Sequence, residues 1–338
     1  GALADPALFE GHPAAAATGG RVLARRPDGH DGDDNAADFV VADPTPGGAN
    51  FPRHDLRLGA LSVEPPSLLA AGAAASVTVV LANHGTDALT GATAWVVCGD
   101  DSASAPLPTL AAGAEAAVTA VVHAASEGRL PLAVAVSWPG SEAWRRPAGA
   151  LQVGPAWVHL NEVMAAPPGG GEWIELRNVD ASPRSLAGLS LRDEDGAWRE
   201  LPDLVVAPGA CAVLAEDPTL LRSWWDEARA AGAPLGCDDG LFPADRVAAL
   251  AAGWPGLNDT PPASRDFADR VQLSDSSGVV LDHVTLAEGA TPGRRSWERT
   301  GLVWPGALSA GWRPATAPAG STPACPNSVA AGLLAGGG

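Results

Sequence analysis

Lysine and tyrosine are absent from the 338 residues, methionine occurs once, and aromatic residues make up 5%. Every basic side chain is therefore arginine. The 21 arginines face 39 Asp and Glu, and the formal net charge is −18. The arginine-only usage reads as genomic base composition rather than as phosphate recognition. Nucleic-acid binding needs clustered cations that release counterions. The pairs Arg25-Arg26, Arg145-Arg146 and Arg294-Arg295 lie far apart in sequence, so no nucleic-acid partner is expected. A strongly acidic surface instead suits solubility and attraction of cations. No apolar run reaches the roughly 20 residues of a membrane span, so no membrane insertion is expected. The first residue is Gly and no signal-peptide pattern follows it. The chain is expected to be a piece of a longer protein.

Cysteine is scarce too, with Cys98, Cys211, Cys237 and Cys325 only. None forms a CxxC or sits near His at metal spacing. Two readings stay open: buried small apolar side chains, or a disulfide if the protein is exported. The candidate bridge is Cys211–Cys237, closing a loop of about 26 residues. No GxSxG, HExxH, phosphate-loop or dinucleotide fingerprint is present.

What is present is short apolar runs cut by turn residues. Hydrophobic content of 46% against 18% charged is enough to bury a core. The most informative stretch is 157–195. In 172–178, Ile174 and Leu176 alternate with Glu175 and Arg177, the period of a half-buried strand. Leu186, Leu189 and Leu191 begin another strand, closed by Asp193-Glu194-Asp195-Gly196. The 54–153 stretch has further strand candidates at 76–83, 93–98, 115–122 and 130–138. Short strands at this spacing indicate a sandwich. Residues 217–269 interrupt the rhythm. Asp217-Pro218 is a helix start, with Leu220, Leu221, Trp224, Trp225 and Ala228 on one face up to Gly232. A second short helix is expected at 245–252.

An internal repeat links the two ends. Arg21 and Arg25 correspond to Arg295 and Arg299. Asp38-Phe39 corresponds to Gly311-Trp312, and Thr45-Pro46…Asn50 to Thr322-Pro323…Asn327.

The runs Asn161-Glu162-Val163, Glu172-Trp173-Ile174-Glu175-Leu176 and Leu186-x-x-Leu-x-Leu-x-Asp, with the hairpin 269–282, resemble the bacterial lamin tail domain. That family is an immunoglobulin-like sandwich without catalytic activity. Segment 20–50 resembles its closing part, with the front of that domain missing. Cys325 falls near the family's usual Gly, a departure. Segment 55–89 resembles CARDB, a bacterial cell-adhesion-related immunoglobulin-like module.

These resemblances imply an all-β chain of serial immunoglobulin-like sandwiches with a short helical insertion in the last. The expected division is 1–51 (closing part of one lamin tail domain), 54–153 (CARDB-like), 155–328 (lamin tail domain with insertion 217–269) and a flexible tail at 329–338. The implied function is a non-catalytic extracellular or cell-surface segment for adhesion, targeting or spacing, with a protein or glycan ligand. The alternative is the accessory region of a secreted hydrolase of nuclease or phosphatase type, whose catalytic domain lies upstream. A third reading is an independent metal-dependent enzyme, requiring a pocket that gathers three acidic or His side chains.

Three candidate sites follow. Asp28, Asp31, Asp33, Asp34, Asn35 and Asp38 crowd one loop. Asp31, Asp33, Asp34 and Asp38 are the set that could hold Ca²⁺, which takes six to eight oxygen ligands; the competing reading is a hydrogen-bonded structural loop. Trp224 and Trp225 form a candidate contact surface if the insertion leaves an indole exposed. Asp282-His283 could be read as an acid–base pair, but neighbouring strand residues face opposite sides. No cofactor is expected beyond the possible Ca²⁺.

Overall fold

The computed structural model describes residues 9–26, 28–50, 52–68, 70–140, 144–165, 167, 171–193, 196–232, 242–257, 269–286, 295–300, 306–307 and 311–329. The fold is all-β, built of sheets that are mainly antiparallel, with two α-helices among the described residues. Residues 330–338 of the expected flexible tail lie outside the described residues.

The chain opens with a hairpin, β1 (Val22–Arg25) and β2 (Phe39–Ala42), joined through one helical turn, α1 (Asn35–Asp38). The middle sandwich follows: β3 (Leu56–Glu64), β4 (Ala74–Asn83), β5 (Thr93–Cys98), β6 (Asp101–Pro106), β7 (Glu115–His123), β8 (Gly128–Ser137) and β9 (Trp144–Val153). One sheet has the order β3-β4-β7 and the other β6-β5-β8-β9. Val77, Val79 and Leu81 of β4 are fully buried, as their alternation predicts. They meet Ala94, Val96, Val134 and Val136 of the facing sheet in one core.

The last sandwich contains β10 (Val158–Met164), β11 (Trp173–Asn178), β12 (Arg184–Ser185), β13 (Ser190–Arg192), β14 (Arg199–Glu200), β15 (Val205–Val206), β16 (Cys211–Ala215), α2 (Pro218–Ala230), β17 (Val247–Ala249), β18 (Asp269–Ser274), β19 (Val280–Leu286), β20 (Trp297–Arg299), β21 (Gly306–Ala307) and β22 (Trp312–Pro314). A six-stranded sheet runs β17-β16-β11-β10-β20-β22 and faces a five-stranded sheet, β14-β13-β18-β19-β21. Leu160, Ile174, Leu176, Leu214, Val271, Leu273 and Val284 fill the space between them.

The six-stranded sheet is covered on its outer face as well. Glu175 is fully buried, so β11 is not the half-buried strand its alternation implies. Helix α2 starts as expected, with Asp217 capping Thr219 N at 2.8 Å. It lays Leu221, Trp224 and Trp225 over Met164, Trp173, Val213 and Ala215. The closing segment contributes Ala324 and Cys325 to that second core. Trp225 is 1% exposed and stacks edge-on against Phe242. Trp224 and Trp225 are thus core residues and do not form the expected contact surface. They are buried because α2 packs flat on the sheet. Leu220, expected on the same face, is 42% exposed. The expected helix at 245–252 is instead one 3₁₀ turn at Ala244–Arg246 followed by β17. β17 pairs in parallel with β16, Val213 opposite Val247, and this edge pairing outweighs local helix preference.

The internal repeat is visible in the backbone. Arg25 stands opposite Phe39 in the first hairpin, and Arg299 opposite Trp312 in the second. Arg26 N donates to Asp38 O at 2.8 Å, and Thr300 N to Gly311 O at 2.8 Å. Each arginine lies over its aromatic partner, 4.6 Å and 5.0 Å from the ring centroid. Gly47 and Ala324, both after Thr-Pro, take left-handed φ values of 78° and 59°. Ala324 thus takes in the second copy the left-handed position that Gly47 holds in the first. The two copies differ in their neighbours. β20 also pairs with β10, whereas β1 pairs with β2 alone among the described residues.

Replacing the buried indole should unpin α2. Trp225→Ala is expected to cost about 3–5 kcal/mol in urea unfolding, whereas Leu220→Ala should stay within about 0.5 kcal/mol. Equal effects from the two substitutions would contradict the second core.

Candidate functional site

The polar chemistry of the chain concentrates on both faces of β10. On the outer face, three carboxyl groups lie side by side on adjacent strands. Glu162 of β10 stands directly opposite Glu175 of β11 and Glu298 of β20. All three are fully buried. Like charges at directly opposed positions are destabilising, so these groups need donors or protons. The closing segment, residues 321–329, supplies many of the donors. Thr322 N donates to Glu162 Oε1 at 2.9 Å, Ala324 N donates to Glu175 Oε2, and Val329 N donates to Glu298 Oε2 at 2.9 Å. Ser328 Oγ donates to Glu298 Oε2 at 2.8 Å. The sheet adds Ser296 Oγ to Glu162 Oε1 at 2.5 Å and Asn161 Nδ2 to Glu175 Oε1 at 2.5 Å. Asn327 completes the frame, donating to Asn161 O at 3.1 Å and Arg299 O at 2.8 Å.

Burial pushes Glu162 well above the usual carboxylate range, and the neighbouring Glu175 and Glu298 push it the same way. Burial raises Glu175 to about 7 against the hydrogen bonds that hold it down. Burial, with Glu175 beside it, also raises the Cys211 thiol.

A buried ion pair joins the two sheets. Asp282 of β19 receives Leu160 N at 2.9 Å and pairs with Arg299 Nη2. Arg299 Nε donates to Leu160 O at 2.6 Å. Burial alone would raise Asp282. The Arg299 guanidinium, aided by His159 and His283, outweighs it and lowers the carboxyl below its ordinary value. His159 Nδ1 lies 3.6 Å from Asp282 Oδ2, beyond hydrogen-bond reach.

His283 points the other way, as strand alternation requires. Its Nδ1 meets Ser67 Oγ at 2.9 Å, at the junction with the middle sandwich. Ser67 is 2% exposed and His283 6%. Burial lowers the imidazole. Asp282 and His283 are thus tied to different partners and do not act as one pair. In the 193–195 turn, Asp193 accepts Gly196 N at 2.6 Å; residues 194 and 195 lie outside the described residues.

The expected Ca²⁺ set does not assemble. Asp34 caps α1, accepting Ala36 N at 3.0 Å, and pairs with His12 Nδ1 at 3.0 Å. Asp38 is buried and accepts Gly32 N at 2.8 Å, with Arg25 at 3.4 Å. Asp31 pairs with Arg25 at 2.9 Å, which lowers its carboxyl. Asp31 and Asp33 instead converge with Glu10, one oxygen of each lying within 4.8 Å of the others, all exposed. Glu10 lies outside the Asp-rich run and was not expected. Cys211 is a free, buried thiol, so the expected Cys211–Cys237 bridge is not formed. Cys211 sits in a central strand, with its sulfur 3.7 Å from Asn161 Nδ2. Cys325 is the disulfide-bonded one; Cys237 lies outside the described residues.

A surface groove of about 530 Å³ is lined by Trp198, Glu200, Asp203, Ser190, Ser274 and Asp275, among others. Arg192 lies over the Trp198 ring at 4.4 Å.

No family model matches the chain, and no curated protein does. Among solved structures, it is similar to the secreted serine protease VesC from Vibrio cholerae, at 14% identity and a TM-score of 0.21. That match covers 43% of this chain and 41% of the protease chain, and a likeness this slight carries no argument.

Arg299→Ala would strand Asp282 without its cation and should cost about 3–5 kcal/mol. Arg25→Ala, in the more exposed copy, should cost about 1 kcal/mol or less. The Asp282 carboxyl is depressed in the fold. Its contribution is therefore present above pH 3.8 and lost as pH falls through the folded value. Urea melts of wild type and Arg299→Ala down an acid series should show this loss in wild type only.

Proposed function

We propose that the chain is a non-catalytic modular segment of an extracellular or cell-surface protein, serving adhesion, targeting or spacing. In this reading it holds ligand-contacting surfaces at a set separation. The observation that carries the proposal is the clamp between the middle and last sandwiches. Arg270 forks onto Glu64, with Nη1 to Oε2 at 2.6 Å and Nη2 to Oε1 at 3.0 Å. Arg129 reaches Asp275 at 2.5 Å and also donates to Ser277 Oγ. Ser67 and His283 bond between them in a buried position, where β19 packs against β9. Exposed ion pairs contribute little to stability singly. Bidentate geometry and a shared buried contact fix orientation, which is what a spacer needs.

The polar groups most like catalytic ones have structural partners, which also favours this reading. Asp282 is spent on Arg299 and His283 on Ser67. The surface offered to a protein or glycan ligand is the Trp198 groove. An indole face and neighbouring carboxylates match the apolar and hydroxyl faces of such ligands.

Small-angle scattering tests the spacer role. Wild type should scatter as one rigid two-sandwich body. The double variant Arg129→Ala/Arg270→Ala should scatter as two bodies with variable separation while each sandwich keeps its circular dichroism. Identical scattering from both proteins would contradict the proposal.

A further inference from the structure

The proton count of the buried carboxyl cluster does not close if all three groups are ionised. Thr322 Oγ1 lies 3.1 Å from Glu162 Oε2 and 2.8 Å from Glu298 Oε1. A threonine hydroxyl has one proton and can donate to only one of them. Ser328 settles which. Its oxygen already accepts from Thr316 N at 2.8 Å and Ala317 N at 3.0 Å, so its own proton points at Glu298. Glu298 also receives Val329 N, so its oxygens serve as acceptors. Thr322 then donates to Glu298 as well, and its lone pair faces Glu162 Oε2. That contact is attractive only when Glu162 carries a proton and donates it. The relay runs from Glu162 to Thr322 to Glu298.

We infer that Glu162, Glu175 and Glu298 form a proton-dependent latch, which holds the closing segment 321–329 against the sheet and loosens it as pH rises. Without its proton, Glu162 would face an ionised Glu298 directly across β10–β20 and Glu175 across β10–β11. One hydroxyl would then serve two anions. One cation shares the row: Arg313 of β22 stands opposite Glu298 at the exposed end and donates to Trp312 O at 3.0 Å, while Glu162 and Glu175 lie one and two strands further in. The closing segment brings no charged side chain. Arg246 and Arg295 reach the C-terminal stretch only through carbonyl oxygens, Ala324 O at 3.1 Å and Ala315 O at 2.7 Å. Arg299 is committed to Asp282 on the other face. Burial on β16 raises the Cys211 thiol, with Glu175 pushing the same way and Arg177 opposing.

The sign follows from linkage. A carboxyl raised in the fold binds its proton more tightly than in the unfolded chain. Its contribution is fully present below pH 4.5 and is lost as pH climbs through the folded value, about 7 for Glu175 and higher than the ordinary range for Glu162. This is opposite in direction to Asp282, whose contribution is present above pH 3.8 and is lost as pH falls through the folded value.

The test is hydrogen exchange of the full chain from pH 4.5 to beyond pH 7. Protection of Thr322, Ala324 and Val329 amides, corrected for intrinsic exchange, should fall by up to about tenfold per pH unit for each proton released. Amides of β4 in the middle sandwich should hold their protection. Glu162→Gln fits the protonated form, because its amide can donate to Thr322 while its oxygen accepts from Ser296 and Thr322 N. The double variant Glu162→Gln/Glu175→Gln should therefore flatten the pH dependence. A pH-independent wild type, or a double variant that follows the wild-type slope, would overturn the latch. Infrared spectroscopy of wild type reads the protons without any variant. A protonated-carboxyl band at neutral pH that fades with rising pH supports the proposal, and its absence at neutral pH overturns it.

Discussion

Three glutamates in a row across the six-stranded sheet are the constraint on which the last sandwich depends. Glu175, Glu162 and Glu298 occupy matching positions on three adjacent strands, and none reaches solvent. Carboxyl groups can be buried this way only if donors satisfy them. The donors Thr322 and Ala324 come from 160 and 149 residues away in sequence to Glu162 and Glu175, and Ser328 and Val329 from 30 and 31 residues away to Glu298. The chain end is thus a structural third layer over the sheet, alongside α2. Between the sheets the opposite arrangement holds. There an ion pair, Asp282 with Arg299, crosses the apolar core. Arg299 connects the two systems. Its side chain serves the core face and its carbonyl accepts Asn327 from the outer face.

This arrangement also explains the repeat. The first copy keeps the arginine over an aromatic ring, the turn that delivers it, and the Thr-Pro turn in left-handed conformation. Among the described residues it has no counterpart of the carboxyl row. The position of Glu298 in the second copy corresponds to Ala24 in the first, and Thr45 bonds Asn50 at 2.9 Å instead of a carboxylate. The closing motif therefore folds as a local unit, and becomes a clasp only where a sheet carries acceptors beneath it.

Much of the architecture was legible in the sequence, because period-two alternation and turn residues are local signals. Thr93–Cys98 appears at its expected bounds, and the Asp217 cap with Pro218 starts α2 as read. β6 escaped notice because Asp101–Pro106 has only small and polar residues. The second helix was misread because pairing of Val247 with Val213 is a long-range event. The largest miss was the outer layer. Alternation says that Glu175 faces away from Leu176 and does not say what lies on that side. A third layer turned an apparent solvent face into a core. The same blindness made Trp224 and Trp225 look like surface candidates. The candidate metal loop failed for a related reason: Asp34 and Asp38 are spent on a cap and on Gly32. The one available hint was acidic residues inside otherwise apolar strands, Glu162 in a run where all seven residues are buried.

The central claim is that the closing segment and the sheet beneath it stand or fall together. Truncating the chain after Gly320 and recording the heteronuclear spectrum tests it most directly. Loss of dispersed signals from β10, β11 and β20, with the middle sandwich unchanged, is the predicted result. A truncated chain whose last sandwich keeps its native spectrum and native unfolding midpoint would contradict the account.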